Sequence, residues 1–261
     1  MNSFKSRAKR ILVFSLGAVL LIAAMLAFLK DKIMLGAEAY LFAYPLVMME
    51  TTRLHSAQFI GPENQLRRVR QFPDANFKDV VRPNVDTLYT TAFIRMKDGP
   101  WVFEMPANTE RYELMPFMDA WTHVFASPGT RTSGSNAATY LLTGPGWQGE
   151  VPQGMQWLKS PTDMVWLIGR TQTNGVADFA TVHRLQDRLQ LKKLASIQNN
   201  SNAKVPDAWQ RSSATAVPPV IQMRNMSTSE FYERLMRLMV DNPPHADDAP
   251  MLERLAAVQL V

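Results

Sequence analysis

The chain has no cysteine among its 261 residues. That excludes disulfides, zinc-thiolate centres and a thiol nucleophile in one step. Histidine is scarce. The four stand at 55, 123, 183 and 245, with no spacing that marks a metal ligand set, so neither a metal nor a cofactor is expected. A G-x-S-x-G elbow, S-x-x-K, H-E-x-x-H and a phosphate-binding loop are all missing. Gly144-Pro-Gly146-Trp-Gln-Gly149 does match G-x-G-x-x-G, but the Glu150-Val-Pro152 that follows cannot open a helix. Without a helix N-terminus there is no row of free amides for a pyrophosphate, and the segment reads as a turn. A basic stripe is missing too. The formal charge is +5, yet four basic residues fall in the first ten positions and the rest are interspersed with acids, which argues against nucleic acid as a partner.

What is present begins with an uncharged run from Ile11 to Leu29, bounded by Arg10 and Lys30. Its nineteen residues, at about 1.5 Å each, match the ~30 Å hydrocarbon core of a bilayer. Lys5, Arg7, Lys9 and Arg10 precede it, while Lys30, Asp31 and Lys32 nearly cancel. The positive-inside bias then places the N-terminus in the cytoplasm and the rest outside, in a bacterial inner membrane crossed once, with the main domain periplasmic. A cleaved signal peptide is the rival; the length of the run and the lack of a small-x-small cleavage site favour an uncleaved anchor.

The remainder, 46% hydrophobic and 20% charged over the whole chain, has a globular composition. Residues 33–58 have helical composition, with Pro45 expected to kink or split the helix. Residues 61–84, with Pro62, Pro73 and Pro83, read as a long ordered loop. Strands are expected at Thr87–Arg95, Trp101–Glu104, Tyr112–Phe117, Trp121–Ala126, Tyr140–Leu142, Gln156–Lys159 and Val165–Thr171, separated by Gly-Pro and Ser-Pro turns. Their spacing argues for an antiparallel, sandwich-like sheet. Helical spacing returns over Asp178–Leu194. After a polar connector, Ser227-Thr-Ser-Glu230 has the form of a capping box that opens a helix with Phe231, Leu235, Leu238 and Met239 on one face. Pro243-Pro244 ends it, and a last helix covers about 249–260. The expected fold class is α+β, mostly antiparallel β with flanking helices behind an N-terminal transmembrane helix. The expected organisation is a cytoplasmic tip and anchor over 1–32, a β-rich domain over 33–195, and a connector with C-terminal helices over 196–261.

Polar and aromatic residues gather at three places. If 117–126 is one strand, Asp119, Trp121, His123 and Phe125 share a face, opposite Met118, Ala120, Thr122, Val124 and Ala126. Arg82, Asn84, Asp86 and Tyr89 lead into the first strand, and Trp166 and Arg170 share a face of the last one. Arg131 follows the Ser127-Pro-Gly turn. Converging, these would form a cleft for a small anionic or aromatic ligand, with Arg82, Asn84, Tyr89, Trp121, Arg131, Trp166 and Arg170 as binding residues. Asp86, Asp119 and His123 are then the catalytic candidates, Asp119 with His123 as an acid–base couple. No nucleophile for acyl transfer is evident. The other reading is structural: Arg82–Asp86 and Arg170–Asp119 pairs that tie loops to the sheet.

The segments that carry these residues resemble the domain of unknown function 1254. The strings are Ala39-Tyr-Leu-Phe-Ala-Tyr-Pro-Leu-Val47, Phe72-Pro-Asp-Ala75, Val81-Arg-Pro-Asn-Val-Asp-Thr-Leu-Tyr89, Asp119-Ala-Trp-Thr-His-Val-Phe-Ala-Ser-Pro-Gly129, Gly144-Pro-Gly-Trp147 and Gly169-Arg-Thr-Gln172. The resemblance implies a bacterial, mostly β domain, usually followed by a second, the domain of unknown function 1214. It also implies that relatives often carry Asn at the place of His123, which weakens an obligatory acid–base role for that residue. No catalytic roles come with it. Two functions compete: an anchored domain that binds or transforms a small molecule, and a non-catalytic envelope scaffold whose partner is a separately encoded second domain.

Overall fold

A helix of 58 residues, α1 (Asn2–Phe59), opens the computed structural model, which describes residues 2–74, 84–199 and 217–256, with side chains from Leu16 onward. Pro45 lies inside α1 and does not split it. Proline removes one hydrogen bond from a helix interior. Here the following turn is held by burial, since Leu46 and Val47 are fully inaccessible and Met49 nearly so.

Two compact units are distinguished, Met1–Tyr44 with Ala246–Val261, and Pro45–His245. In the first, Leu20, Leu21, Leu26 and Phe28 of α1 are exposed, and Arg254 pairs with Glu38. Among the described residues no helix is long and apolar enough to cross a membrane; the expected span begins at Ile11, ahead of the first described side chain.

The second unit holds the sheets. Along the chain come β1 (Arg67–Arg68), β2 (Thr87–Arg95), β3 (Trp101–Met105), β4 (Glu113–Leu114), β5 (Phe117–Asp119), β6 (Val124–Ala126), β7 (Ala138–Thr143), β8 (Gln156–Lys159) and β9 (Met164–Gln172). After them are α2 (Phe179–Arg188), β10 (Gln190–Lys193), α3 (Leu194–Gln198), α4 (Pro219–Asn225) and α5 (Thr228–Asp241), and in the first unit α6 (Ala249–Ala256). One sheet runs β1-β2-β9-β5-β6, with β4 also on β9, and the other β10-β3-β7-β8. Every pairing is antiparallel except β7 with β8. Ala92, Ile94, Phe117, Val165 and Leu167 from the first sheet share one apolar core with Phe103, Tyr140 and Leu142 from the second, as two sheets packed on their inner faces require. The chain is thus α+β, with mostly antiparallel sheets and flanking helices.

Three expectations change. Tyr112–Phe117 is not one strand: Pro116 lacks an N–H for the ladder, and β4 and β5 lie on either side of it. Trp121–Ala126 begins as a turn, and only Val124–Ala126 is strand. Val124 is therefore 54% exposed, not on the core face, and Thr122 is exposed as well. Helix α2 stops at Arg188, and Gln190–Lys193 pairs with β3 instead of continuing it; an apolar periodicity of three to four residues does not register the backbone partners that β3 offers at its free edge. The Ser227 cap does form, its hydroxyl accepting from the Glu230 N–H at 3.2 Å. No helix follows Gly144–Gly149 before β8.

Candidate functional site

Strand β5 ends at Asp119, and the carboxylate builds the turn that follows. Oδ1 accepts from the backbone N–H of Trp121 at 2.9 Å and of His123 at 3.0 Å. The Asp119 N–H donates to the His123 carbonyl at 2.9 Å, and the Thr122 N–H to the Asp119 carbonyl at 3.1 Å. An aspartate that bonds the backbone two residues on is an Asx turn. It bends the chain tightly enough that Thr122 takes φ +73°. The Ala120 N–H donates to Thr162 Oγ1 at 3.0 Å, which fixes the turn to the loop before β9.

The partner of this turn comes from the other end of the unit. The Trp121 indole N–H is shared by the carbonyls of Asn242 and Pro243, at 3.2 and 3.1 Å. Asn242 Oδ1 accepts from the Met164 N–H at 2.8 Å, and Asp241 pairs with Lys97 at 3.1 Å. Pro243 and Pro244, which cannot continue α5, carry the chain across the hairpin to His245. His245 Nε2 lies 2.8 Å from Asp119 Oδ2 and 2.8 Å from His123 Nδ1. The nitrogen–nitrogen contact is a hydrogen bond in which one ring donates. Asp119 is completely buried, while the His245 side chain is 26% and that of His123 62% exposed. The three side chains offer an oxygen and two nitrogens within 4.8 Å of one another, a donor set of the kind that holds divalent transition ions. Separate sequence positions concealed it: the two histidines are 122 positions apart.

The other sequence candidates lie elsewhere. Register pairs Tyr89 with Arg170 and Phe93 with Trp166 across β2 and β9, so these four share the outer face, away from the core. The Arg170 guanidinium lies over the Tyr89 ring, 5.6 Å from its centroid. Asn84 Nδ2 donates to the Tyr89 hydroxyl, and Asn84 Oδ1 accepts from the N–H groups of Asp86 and Thr87. Trp166 stacks on Phe93 with centroids 4.9 Å apart and donates its indole N–H to Thr91 Oγ1 at 2.9 Å. Asp86 is exposed, its carbonyl accepting from the Thr173 N–H. Arg131 is exposed on the loop after β6. Arg82 lies outside the described residues.

Among the described residues the single cleft does not form. Asp119 pairs with Val165 in the ladder, and Arg170 is five positions further along β9, roughly 16 Å away at strand rise. The alternation of the pleat also points the two side chains to opposite faces. The Arg170–Asp119 pair is therefore absent; histidines take its place beside Asp119. Tyr89, Asn84 and Arg170 come together, with Trp166 on the same face four positions along β9; Trp121, Asp119 and His123 gather at the other place.

A family model described as a protein of unknown function, DUF1254, matches residues 63–193. No curated protein matches. The crystal structure of the VPA0106 protein from Vibrio parahaemolyticus is similar over 87% of this chain and 51% of its own, with a TM-score of 0.64 and 19% identity. That of an uncharacterized protein from Burkholderia cenocepacia is covered to 49% of its length by 79% of this chain, at 11% identity and a TM-score of 0.35. The chain thus spans about half the length of these solved structures.

Proposed function

Because the chain belongs to the DUF1254 family of proteins of unknown function, we propose a function from its side chains: a membrane-tethered, extracytoplasmic domain that binds a small anionic or aromatic molecule on the outer face of β2 and β9. One observation carries the reading. Arg170 is half-buried, its Nε is sealed from solvent without a hydrogen-bond acceptor, and no carboxylate pairs with its guanidinium among the described residues. A guanidinium in that state accommodates an anion, and carboxylates suit its planar fork. Tyr89 beneath it and the Trp166–Phe93 stack along the same face supply flat apolar surface for a ring. Asn84 holds the Tyr89 hydroxyl.

The tether rests on Ile11–Leu29 and the basic residues before it. Carbonate washing of membranes from cells that express the full chain should leave it in the pellet; complete release into the supernatant overturns that half of the proposal. For the ligand, the purified full chain in detergent is titrated with benzoate, with p-cresol and acetate as neutral and ring-free comparisons. Benzoate is expected to raise the unfolding temperature more than either, and Arg170→Gln to abolish the difference. Equal or absent shifts for all three overturn the reading.

The second reading is a scaffold that seats a separately encoded domain of the 1214 type. It is favoured by the exposure of Val220 and Ile221 on α4 and of Met236 and Val240 on α5, an apolar surface of the sort that partners cover. Sedimentation of the chain mixed with such a domain tests it, and co-migration that Val240→Lys abolishes is the expected result.

A further inference from the structure

The centre formed by Asp119, His123 and His245 lies on the opposite face from Arg170 and owes nothing to the ligand proposed there. We propose that it is a binding site for one divalent first-row transition ion, ligated by Asp119 Oδ2, His123 Nδ1 and His245 Nε2. The three separations are 2.8, 2.8 and 3.9 Å. A triangle with these sides has a point about 2.0 Å from every corner, a metal–ligand bond length, with Oδ2 and Nδ1 nearly opposite each other and Nε2 at right angles to both, as three positions of an octahedral or square-planar ion are.

The state of Asp119 is the second observation. Its carboxylate is completely buried, and Oδ1 is saturated by two backbone amides. Oδ2 accepts no hydrogen bond, and the polar atom beside it is His245 Nε2 at 2.8 Å, which also contacts His123 Nδ1. A buried carboxylate oxygen left in this state is costly. A cation at the common point satisfies Oδ2 and both imidazole lone pairs at once, and removes the need for two ring nitrogens to share one proton.

The supports are of the kind that metal sites use. The backbone amides of the Asx turn orient the ligating carboxylate from behind. Trp121 and the two prolines fix the approach of His245. The ligand set is one carboxylate and two imidazoles, which suits zinc, iron, cobalt, nickel or copper and disfavours calcium and magnesium, whose ligands are oxygens. One negative charge against two positive leaves the centre singly cationic. Three protein ligands leave coordination positions for water or an exogenous anion, and His123, 62% exposed, borders the solvent they would come from.

The test uses the full chain in detergent, without a polyhistidine tag and stripped with chelator. Titration with zinc is followed by calorimetry, and cobalt(II) substitution by visible absorption. One equivalent per chain, a visible band of low-symmetry cobalt(II), and a rise in unfolding temperature with zinc are expected. Loss of a ligand should weaken binding by at least about tenfold, since even outer-shell partners cost that much. His123→Ala is the decisive variant because its exposed side chain can be removed without unfolding the protein; His245→Ala and Asp119→Asn should follow it. Binding that is substoichiometric, or that His123→Ala and His245→Ala leave unchanged, overturns the proposal and leaves a hydrogen-bonded Asp–His–His cluster. Zinc binding without any response to benzoate separates this site from the one on the outer face, and a benzoate response in a chain that binds no zinc does the reverse.

Discussion

Trp121 and Asn242 are joined by one hydrogen bond, from the indole N–H to the Asn242 backbone carbonyl at 3.2 Å, while the side-chain amide oxygen of Asn242 accepts from the Met164 N–H at 2.8 Å, at the start of the strand that pairs with β5. Asn242 is 2% exposed, and its Nδ2 also returns to the Leu238 carbonyl, closing α5. Truncation strands a buried N–H. Asn242→Ala should therefore destabilise the chain by about 1–3 kcal/mol in urea unfolding, and Asn242→Asp should not restore it, because a buried carboxylate would face the Leu238 carbonyl that Nδ2 now donates to. An Asn242→Ala midpoint equal to that of the parent would show that the α5 terminus is not anchored through this residue.

How much of this was legible in the sequence depends on the range of the interactions involved. The capping box at Ser227 and the strand Thr87–Arg95 were readable because hydroxyl-to-amide geometry and pleat alternation act within a few residues. That Trp166 and Arg170 share a face of one strand was legible for the same reason; the register that sets Tyr89 opposite Arg170 joins distant strands and was not. Nor was the Asp119 turn. Asp119-Ala-Trp-Thr-His contains no glycine or proline, so nothing announced a reversal; only the aspartate's ability to bond two successive amides, and the φ forced on Thr122, produce it. His245 was beyond reach, since its neighbour is set by where α5 ends and by two prolines, not by spacing to any other histidine. A hint existed in Pro243-Pro244, which fixes the direction of the histidine that follows.

Glu113 is buried among Asn108, Thr130 and Thr171, and burial pushes its carboxyl pKa above the ordinary range, only partly opposed by hydrogen bonds from Thr171 and Asn108. With the folded value raised, folding takes up a proton between the ordinary glutamate pKa, about 4.3, and the raised one. The stability contributed is full below that window and lost as pH rises through it. Glu113→Gln is neutral throughout and keeps an acceptor for Thr171. Its stability relative to the parent should rise as pH goes from about 4 to 7; thermal melts across that range give the slope. Parallel curves would mean that Glu113 titrates normally in the fold.

Asp178 behaves in the opposite sense. The Arg111 guanidinium bonds both of its oxygens, the Asn174 N–H adds a third bond at 2.9 Å, and the pKa is held below the usual aspartate range. A depressed folded value contributes stability above the unfolded pKa, about 3.9, that disappears as pH falls through the folded one. Asp178→Asn should lower the unfolding temperature at pH 7, and the difference should close as pH approaches about 2. Since Arg111 also donates to the Gln172 carbonyl at the end of β9, Arg111→Ala should cost more than Asp178→Asn at neutral pH.

Thr122 is the residue at which stability and the Asp–His–His geometry come apart. A β-branched side chain at φ +73° is in a region that costs L-residues roughly 1–2 kcal/mol, and it is held there because Asp119 Oδ1 bonds the amides on both sides of it. Glycine adopts that conformation without strain. Thr122→Gly should accordingly leave the fold intact and change stability by less than about 1 kcal/mol in either direction, the relief of strain being offset by the entropy of a freer unfolded chain. It should also loosen the tether between Asp119 and His123, so that zinc binds more weakly while the urea midpoint hardly moves. Thr122→Asn, which tolerates the same backbone conformation with less freedom, should restore the affinity. If both variants bind zinc as the parent does, the strained turn plays no part in positioning His123, and the exposed imidazole finds the ion unaided.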